Sequence, residues 1–287
     1  MKPAPFDYHR ASSLGDAVCL LDELGEDAKV LAGGQSLVPM MAFRLARPTH
    51  LVDITGLKEL RYIRGGADGL HIGALTTHHE VETSREPALT AEWDVLRRTM
   101  RWVGHLPIRT MGTVGGSLAH GDALAEWCLL AVLLDAVVVL EGTGGRRLVP
   151  AADFLLGYYT TALEPGELVV EVHFPVPAPH ASVTEYTERR GDFAIVAAAV
   201  SLDVCDGEVR SGRVALSGVS DVPVRVPAAE AALGPAAGRT LEECFTAAAQ
   251  AAASAVDPKT DHNGSAGYRR ALTETLVLRA CEEAMAR

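Results

Sequence analysis

Two glycine-paired turns, "LAGGQSLVP" over 31–39 and "TMGTVGGSLAHGD" over 110–122, constrain the fold of this chain more than any other feature. Paired glycines let the backbone approach another group closely and adopt φ > 0, and successive N–H groups in such a turn can form a concave nest for an anion. Gly33, Gly34 and Ser36 in the first turn, and Thr113, Gly115, Gly116 and Ser117 in the second, offer N–H and hydroxyl donors. Neither turn places a Lys or Arg between its glycines and its serine, so a phosphate bound there is held by amides and hydroxyls. One such turn is most simply a tight loop that needs positive φ. Two of them, with matched polar side chains, favour a shared ligand such as a diphosphate. No GxxxxGK[ST] is present, and no GxGxxG opens a helix after a strand, which excludes Walker and Rossmann sites.

The elements around the turns follow from periodicity and punctuation. "SSLGDAVCLLDELG" reads as a helix capped by Ser12 or Ser13 and stopped by Gly25, leading through a short buried strand, "AKVLAGG", into the first turn. "HLVDI" is a strand, "LRYIRGGADGLHIGALTT" a hairpin, and Thr77 with Glu80 has capping-box spacing. Leu96, Met100 and Val103 have helical spacing until Pro107 breaks it, just before the second turn; Asp122 then caps the apolar helix "ALAEWCLLAVLLD", and "AVVVLEG" is a strand. "LVVEVHF" is a strand followed by a proline-rich linker, "PVPAPH". Beyond it, "FAIVAAAVSLDV" and "GRVALSGV" read as strands, and "TLEECFTAAAQAAASAV" and "YRRALTETLVLRACEEAMA" as helices, which describes a separate α+β domain. The expected division is 1–175, with subparts of about 1–55 and 56–175, and 176–287.

Composition narrows the function classes. At 287 residues two or three packed subdomains are expected. The 37 Asp and Glu against 26 Lys and Arg, a formal charge of -11, oppose binding to a phosphate backbone, so nucleic acid is not an expected partner. No apolar run reaches the roughly eighteen residues of a membrane span, and the N-terminal segment lacks a secretory h-region, so a cytoplasmic location is expected. Five widely spaced cysteines suggest buried reduced thiols, with neither a disulfide framework nor an iron–sulfur cluster of the chain's own.

Taken in order, "LAGGQSLVPMM", "IRTMGTVGGSLAHGD", "DFLLGYYTTALEPGELVVEV", "RRGDFAIVAAA" and "GSAGYRRALTETLVLRA" resemble the FAD-binding medium subunit of the molybdenum hydroxylases, the family of the carbon monoxide dehydrogenase medium subunit and the xanthine dehydrogenase FAD domain. The likeness covers nearly the whole chain. It implies an α+β fold: a two-part vanillyl-alcohol-oxidase-type (PCMH-type) FAD-binding domain followed by an α+β C-terminal domain. It also implies FAD, an electron-transfer role without catalytic acid, base or metal of the chain's own, and two partners, a large molybdopterin-binding subunit and a small [2Fe–2S] subunit. The resemblance places Val30, Leu31, Ala32, Gly33, Gly34, Gln35, Ser36 and Leu37 around the FAD diphosphate, with Thr113, Val114, Gly115, Gly116 and Ser117 on its other side. Glu126 matches an acidic position near the ribityl or adenosine part, and Val103 and Val169 match positions that line the cofactor. Glu185 falls where some relatives carry lysine, and Phe193 where the carbon monoxide enzyme carries tyrosine. Glu185 would oppose negative charge on a reduced flavin unless turned away. Phe193 could stack on the isoalloxazine or be an ordinary core aromatic.

Other polar residues have simpler readings. His78 and His79 lack metal-ligand spacing and read as a solvated helix start. His105, His120 and Asp122 read as loop and cap groups, with His120 alternatively against the flavin. Arg109 is either an ion-pair partner or a sensor of cofactor charge; Arg189 and Arg190 suit a solvated surface or acidic groups of a subunit interface, and Tyr158 with Tyr159 a core pair or, by the resemblance, a position near the flavin. Two further readings compete with electron transfer: a free-standing FAD-dependent oxidoreductase, which needs a base near the ring, and a cofactor-free scaffold subunit.

Overall fold

The computed structural model describes residues 2–234 and 239–287. Its architecture is a stack in which two sheets each separate two apolar cores. The first layer is a parallel sheet in the order β1-β3-β2, built from β1 (Asp7–Arg10), β2 (Ala28–Leu31) and β3 (His50–Asp53). Helix α1 (Leu14–Leu24) supplies the crossover. Ser13 caps it by accepting from the Asp16 N–H, and Gly25 ends it at φ 60°. Its buried face, Ala17, Val18 and Leu21, forms a core with Val52, Ile54, Leu168 and Val170. A short helix, α2 (Leu37–Ala42), opens directly after the first glycine turn.

The second sheet is antiparallel, in the order β4-β5-β10-β6-β7: β4 (Ile63–Gly66), β5 (Gly69–Gly73), β6 (Val137–Gly142), β7 (Gly145–Pro150) and, after the small ribbon of β8 (Leu155–Gly157) and β9 (Thr160–Thr161), the central strand β10 (Leu168–Phe174). Leu168 and Val170 face the first core while Val169, Val172 and Phe174 face the next, a parity change made possible by a register shift between Val169 and Glu171. In β6, Val139 and its neighbours Val138 and Leu140 likewise point into different cores.

The middle core holds the short helices α3 (His78–Thr83), α4 (Pro87–Ala91), α5 (Asp94–Thr99), α6 (Leu106–Arg109), α7 (Val114–His120), α8 (Glu126–Leu133) and α9 (Ala151–Phe154). The α3 capping box is present in full, with Thr77 and Glu80 as its two partners. Helix α8 is apolar on every side and its residues 127–133 are all buried, as expected of a helix enclosed between two sheets. Two local expectations are corrected. Pro107 sits in the first turn of α6, where its missing N–H costs nothing, and α5 has already ended at Thr99. Asp122 does not cap α8: Ala125 holds that position, and the Asp122 carboxylate accepts from the Leu124 N–H at 2.9 Å.

The third layer is the antiparallel sheet β11-β12-β13-β14, formed by β11 (His180–Tyr186), β12 (Val196–Cys205), β13 (Glu208–Ser217) and β14 (Val224–Arg225). One face of β12, Ala197 and Ala199, joins the middle core against α8; the other, Val196, Ala198, Val200 and Leu202, joins a third core with the helices α10 (Pro227–Ala232), α11 (Leu241–Ala255) and α12 (Ala266–Met285). Cys128, Cys244 and Cys281 are buried free thiols, but Cys19 is exposed and Cys205 half-buried, so the expectation of five buried thiols is corrected. The cause is placement: Cys19 lies on the outer face of α1, and Cys205 at the end of β12. Among the described residues no helix is long and apolar enough to cross a membrane.

Candidate functional site

The two glycine turns, about eighty residues apart in the chain, lie against each other. A Cβ on Gly33 would overlap the Met111 carbonyl oxygen and lie 2.8 Å from Gly112 Cα. A Cβ on Gly116 would lie 3.9 Å from the Ala32 Cβ. The first turn emerges from the carboxyl end of β2, and the second is tied to the middle layer by an isolated bridge between Thr77 and Thr113. Gly33 is therefore needed so that one turn can back onto the other.

The amide inventory of the two turns is unequal. In the first, none of the N–H groups of Ala32, Gly33, Gly34, Gln35 and Ser36 donates to a partner among the described residues, and Gly34 adopts φ 70°. A run of open amides around a left-handed glycine is an anion nest. Ser36 adds a hydroxyl that makes no capping bond. In the second turn the amides are spent internally: Val114 donates to Thr76 O, Gly115 to Ala74 O, Gly116 to Thr113 Oγ1 and Ser117 to Thr113 O, at 2.9–3.1 Å. The expectation that Gly115, Gly116 and Ser117 supply backbone donors is thus corrected. Their amides are consumed in docking α7 onto the preceding segment, and Gly115 is glycine because a Cβ would overlap that of Ala74. What this turn offers is the Ser117 hydroxyl and the Thr113 N–H, which donates to no partner among the described residues.

His78 holds the second turn from behind. Its N–H donates to Gly112 O at 3.0 Å, and its Nδ1 accepts from Trp127 Nε1 at 2.9 Å, which fixes the neutral tautomer. Burial, with the Arg109 charge nearby, pushes its pKa down to about 4. The expectation of a solvated His78 is corrected, because the α3 capping box turns the ring inward onto Trp127. Arg109 is a structural ion pair: it meets Glu82 at 2.9 Å and donates to the Val103 and Gly104 carbonyls.

A second group of predicted residues is acidic. Glu126 begins α8 and Glu185 lies on β11, and each is at most half-exposed. Burial, then the Asp122 charge, pushes the Glu126 pKa up to about 7. Burial, then the Glu126 charge, raises Glu185 to about 8, with Arg101 opposing. Glu185 therefore carries a proton at neutral pH, which removes the electrostatic conflict expected of an acid at a lysine position.

The remaining predicted residues separate. Val103 packs partly buried against the middle core, and Val169 is buried within it. Phe193 is 57% exposed, which rules out the core reading and leaves its ring face available. It ends a loop whose Gly191, at φ 90°, packs on the His105 ring. Tyr158 and Tyr159 are exposed, against the expected core pair; Tyr159 adopts φ 51° and its hydroxyl reaches Asp122 at 3.4 Å. Arg189 and Arg190 are exposed.

Comparison with known proteins matches both halves of the chain. Residues 4–177 fit the FAD binding domain in molybdopterin dehydrogenase, and residues 181–284 the CO dehydrogenase flavoprotein C-terminal domain. The chain is 40% identical over 290 residues to the carbon monoxide dehydrogenase medium chain of Afipia carboxidovorans, covering 100% of this chain and 99% of that one. It is 39% identical over 293 residues to the 6-hydroxypseudooxynicotine dehydrogenase complex subunit alpha of Paenarthrobacter nicotinovorans, covering 100% and 97%. A solved carbon monoxide dehydrogenase from Hydrogenophaga pseudoflava superposes with a TM-score of 0.93 at 40% identity, covering 100% of this chain and 99% of that one. The facing turns, the open amides and these matches agree: the chain belongs to the FAD-binding medium subunits of molybdenum hydroxylase-type dehydrogenases, a family of oxidoreductase subunits.

Proposed function

We propose that the chain holds FAD with its diphosphate on the Ala32–Ser36 nest, and relays electrons from a small [2Fe–2S] subunit to an external acceptor, beside a large molybdopterin-binding subunit in the cytoplasm. The observation that carries this reading is the run of five amides in the first turn with no partner among the described residues. Bound FAD supplies reversible electron transfer, while the protein sets its position and local field. In this reading the residues 30–37 wrap the diphosphate, Ser117 contributes its hydroxyl, and Gly116 leaves the wall opposite Ala32 free of a Cβ. Val103 and Val169 back the cofactor from the core side, and Phe193 covers an open ring face by stacking. Glu185, raised to about 8, adds little negative charge there, and Glu126, raised to about 7, carries only part of one. The division of the chain near residue 175 belongs to the same reading, the first part carrying the cofactor. Exposed apolar side chains flank both turns, Val38, Phe43 and Leu45 after the first and Leu106, Ile108 and Met111 before the second, and their burial by the iron–sulfur subunit accounts for them.

Fluorescence titration of the purified chain with FAD, FMN and riboflavin tests the clasp. FAD should bind tightly, FMN at least about tenfold more weakly and riboflavin more weakly still, and Gly34→Val should bring FAD down to the riboflavin level. Equal affinity for the three flavins sinks the diphosphate assignment. Reduction of the bound flavin by a small substrate with no partner subunit present would instead support the free-standing oxidoreductase.

A further inference from the structure

A second polar constellation lies on the β4–β5 hairpin. His71 on β5 and His173 on β10 are direct cross-strand partners, so their side chains leave the same face of the sheet. Their rings stack with centroids 4.3 Å apart and planes within 10°. Asp68, in the two-residue turn of the hairpin, brings its carboxylate to 3.1 Å from His71 Nε2, and its carbonyl accepts from His173 Nε2 at 2.8 Å. The opposite nitrogen of His71, Nδ1, faces Glu171 at 3.0 Å, and Glu171 in turn accepts from the Tyr62 hydroxyl at 2.6 Å.

We propose that Asp68, His71 and His173 form a divalent transition-metal site, of the zinc class, that staples the β4–β5 hairpin to β10. One ligand atom from each of the three lies within 4.8 Å of the others. Two imidazoles and a carboxylate are the donor set that Zn²⁺ accepts, with further positions left to water. A carboxylate on the far nitrogen of a ligating histidine fixes the tautomer and aims the ring, and Glu171 with Tyr62 behind it occupies that place. Two glycines clear the space. A Cβ on Gly66 would stand 2.7 Å from the Asp68 carboxylate, and one on Gly69, at φ 134°, would overlap the Phe174 carbonyl oxygen and stand 2.9 Å from His173 Nε2. His71 lies between the two carboxylates of Asp68 and Glu171, at 3.1 and 3.0 Å.

The test is calorimetric titration of the full-length, chelator-treated chain with Zn²⁺ alone, together with thermal melts. One equivalent should bind. His71→Ala and His173→Ala should each lower the affinity at least tenfold, and Glu171→Gln about tenfold. Zinc should raise the melting temperature of the parent chain but not of His173→Ala, with far-UV dichroism verifying that each variant folds. His9→Ala, which removes a separate pair in which His9 and His50 meet at 3.2 Å, should leave binding unchanged. Undiminished affinity in both His71→Ala and His173→Ala, absence of binding by the parent chain, or loss on His9→Ala instead overturns the proposal.

Discussion

At the residue scale, the chemistry of this chain lies in groups whose surroundings decide their charge or their freedom to bond. Glu185 is the clearest case. Its folded pKa, about 8, stands above the usual 4.5 because the fold removes water and brings the Glu126 charge close. The folded chain thus binds this proton more tightly than the unfolded chain. Its contribution to stability is complete below about 4.5 and is lost as pH rises through about 8. Glu185→Gln should therefore match the parent chain in urea unfolding at acid pH and exceed it by at least about 2 kcal/mol on the alkaline side, since one pKa unit corresponds to about 1.4 kcal/mol. An unchanged difference between the two ends of the pH range would mean that the carboxyl is solvated. The resemblance drew attention to Glu185 but carried no signal of its protonation. That depends on Glu126, fifty-nine residues away in the chain and adjacent only once α8 and β11 are packed.

At the element scale, the second turn is a capped helix start, and the cap can be removed by itself. Thr113 Oγ1 accepts from the Gly116 N–H at 3.1 Å, so Thr113→Ala should cost about 1 kcal/mol in a thermal or urea melt and weaken FAD binding, while Thr113→Ser should recover most of both. Equal losses from alanine and serine would argue that the methyl, not the hydroxyl, matters. Elements with punctuation of this kind were readable from sequence. The Ser13 and Gly25 ends of α1, the Thr77–Glu80 box of α3 and the β4–β5 hairpin carry their signals within a few residues. Elements defined by distant partners were not. β1 is four mostly exposed residues that become a strand only by pairing with β3, forty-three positions on. The donor inventory of the second turn was hidden for the same reason, since its amides are taken by carbonyls of Thr76 and Ala74. His78 gave no signal either, because its partner Trp127 lies 49 residues downstream.

At the scale of the whole molecule, three cores alternate with two sheets, and the C-terminal sheet is the wall between the cofactor-bearing part and the last helices. The wall works because β12 presents small side chains, Ala197 and Ala199, to α8 and the larger Val196, Val200 and Leu202 to the core it shares with α12. Ala199→Leu should overpack the seam and cost about 1–3 kcal/mol. In the parent chain the fluorescence of Trp93, Trp102 and Trp127, all before the wall, should change in the same denaturant transition as the far-UV signal of the helices beyond it. Two separated transitions would show that the halves are independent. Alanine methyls against an enclosed helix also bring β12 and α8 close, so the two parts of the chain share one packed seam. The distance between the first glycine turn and anything docked on the C-terminal part is then set by this packed seam, once, when the chain folds.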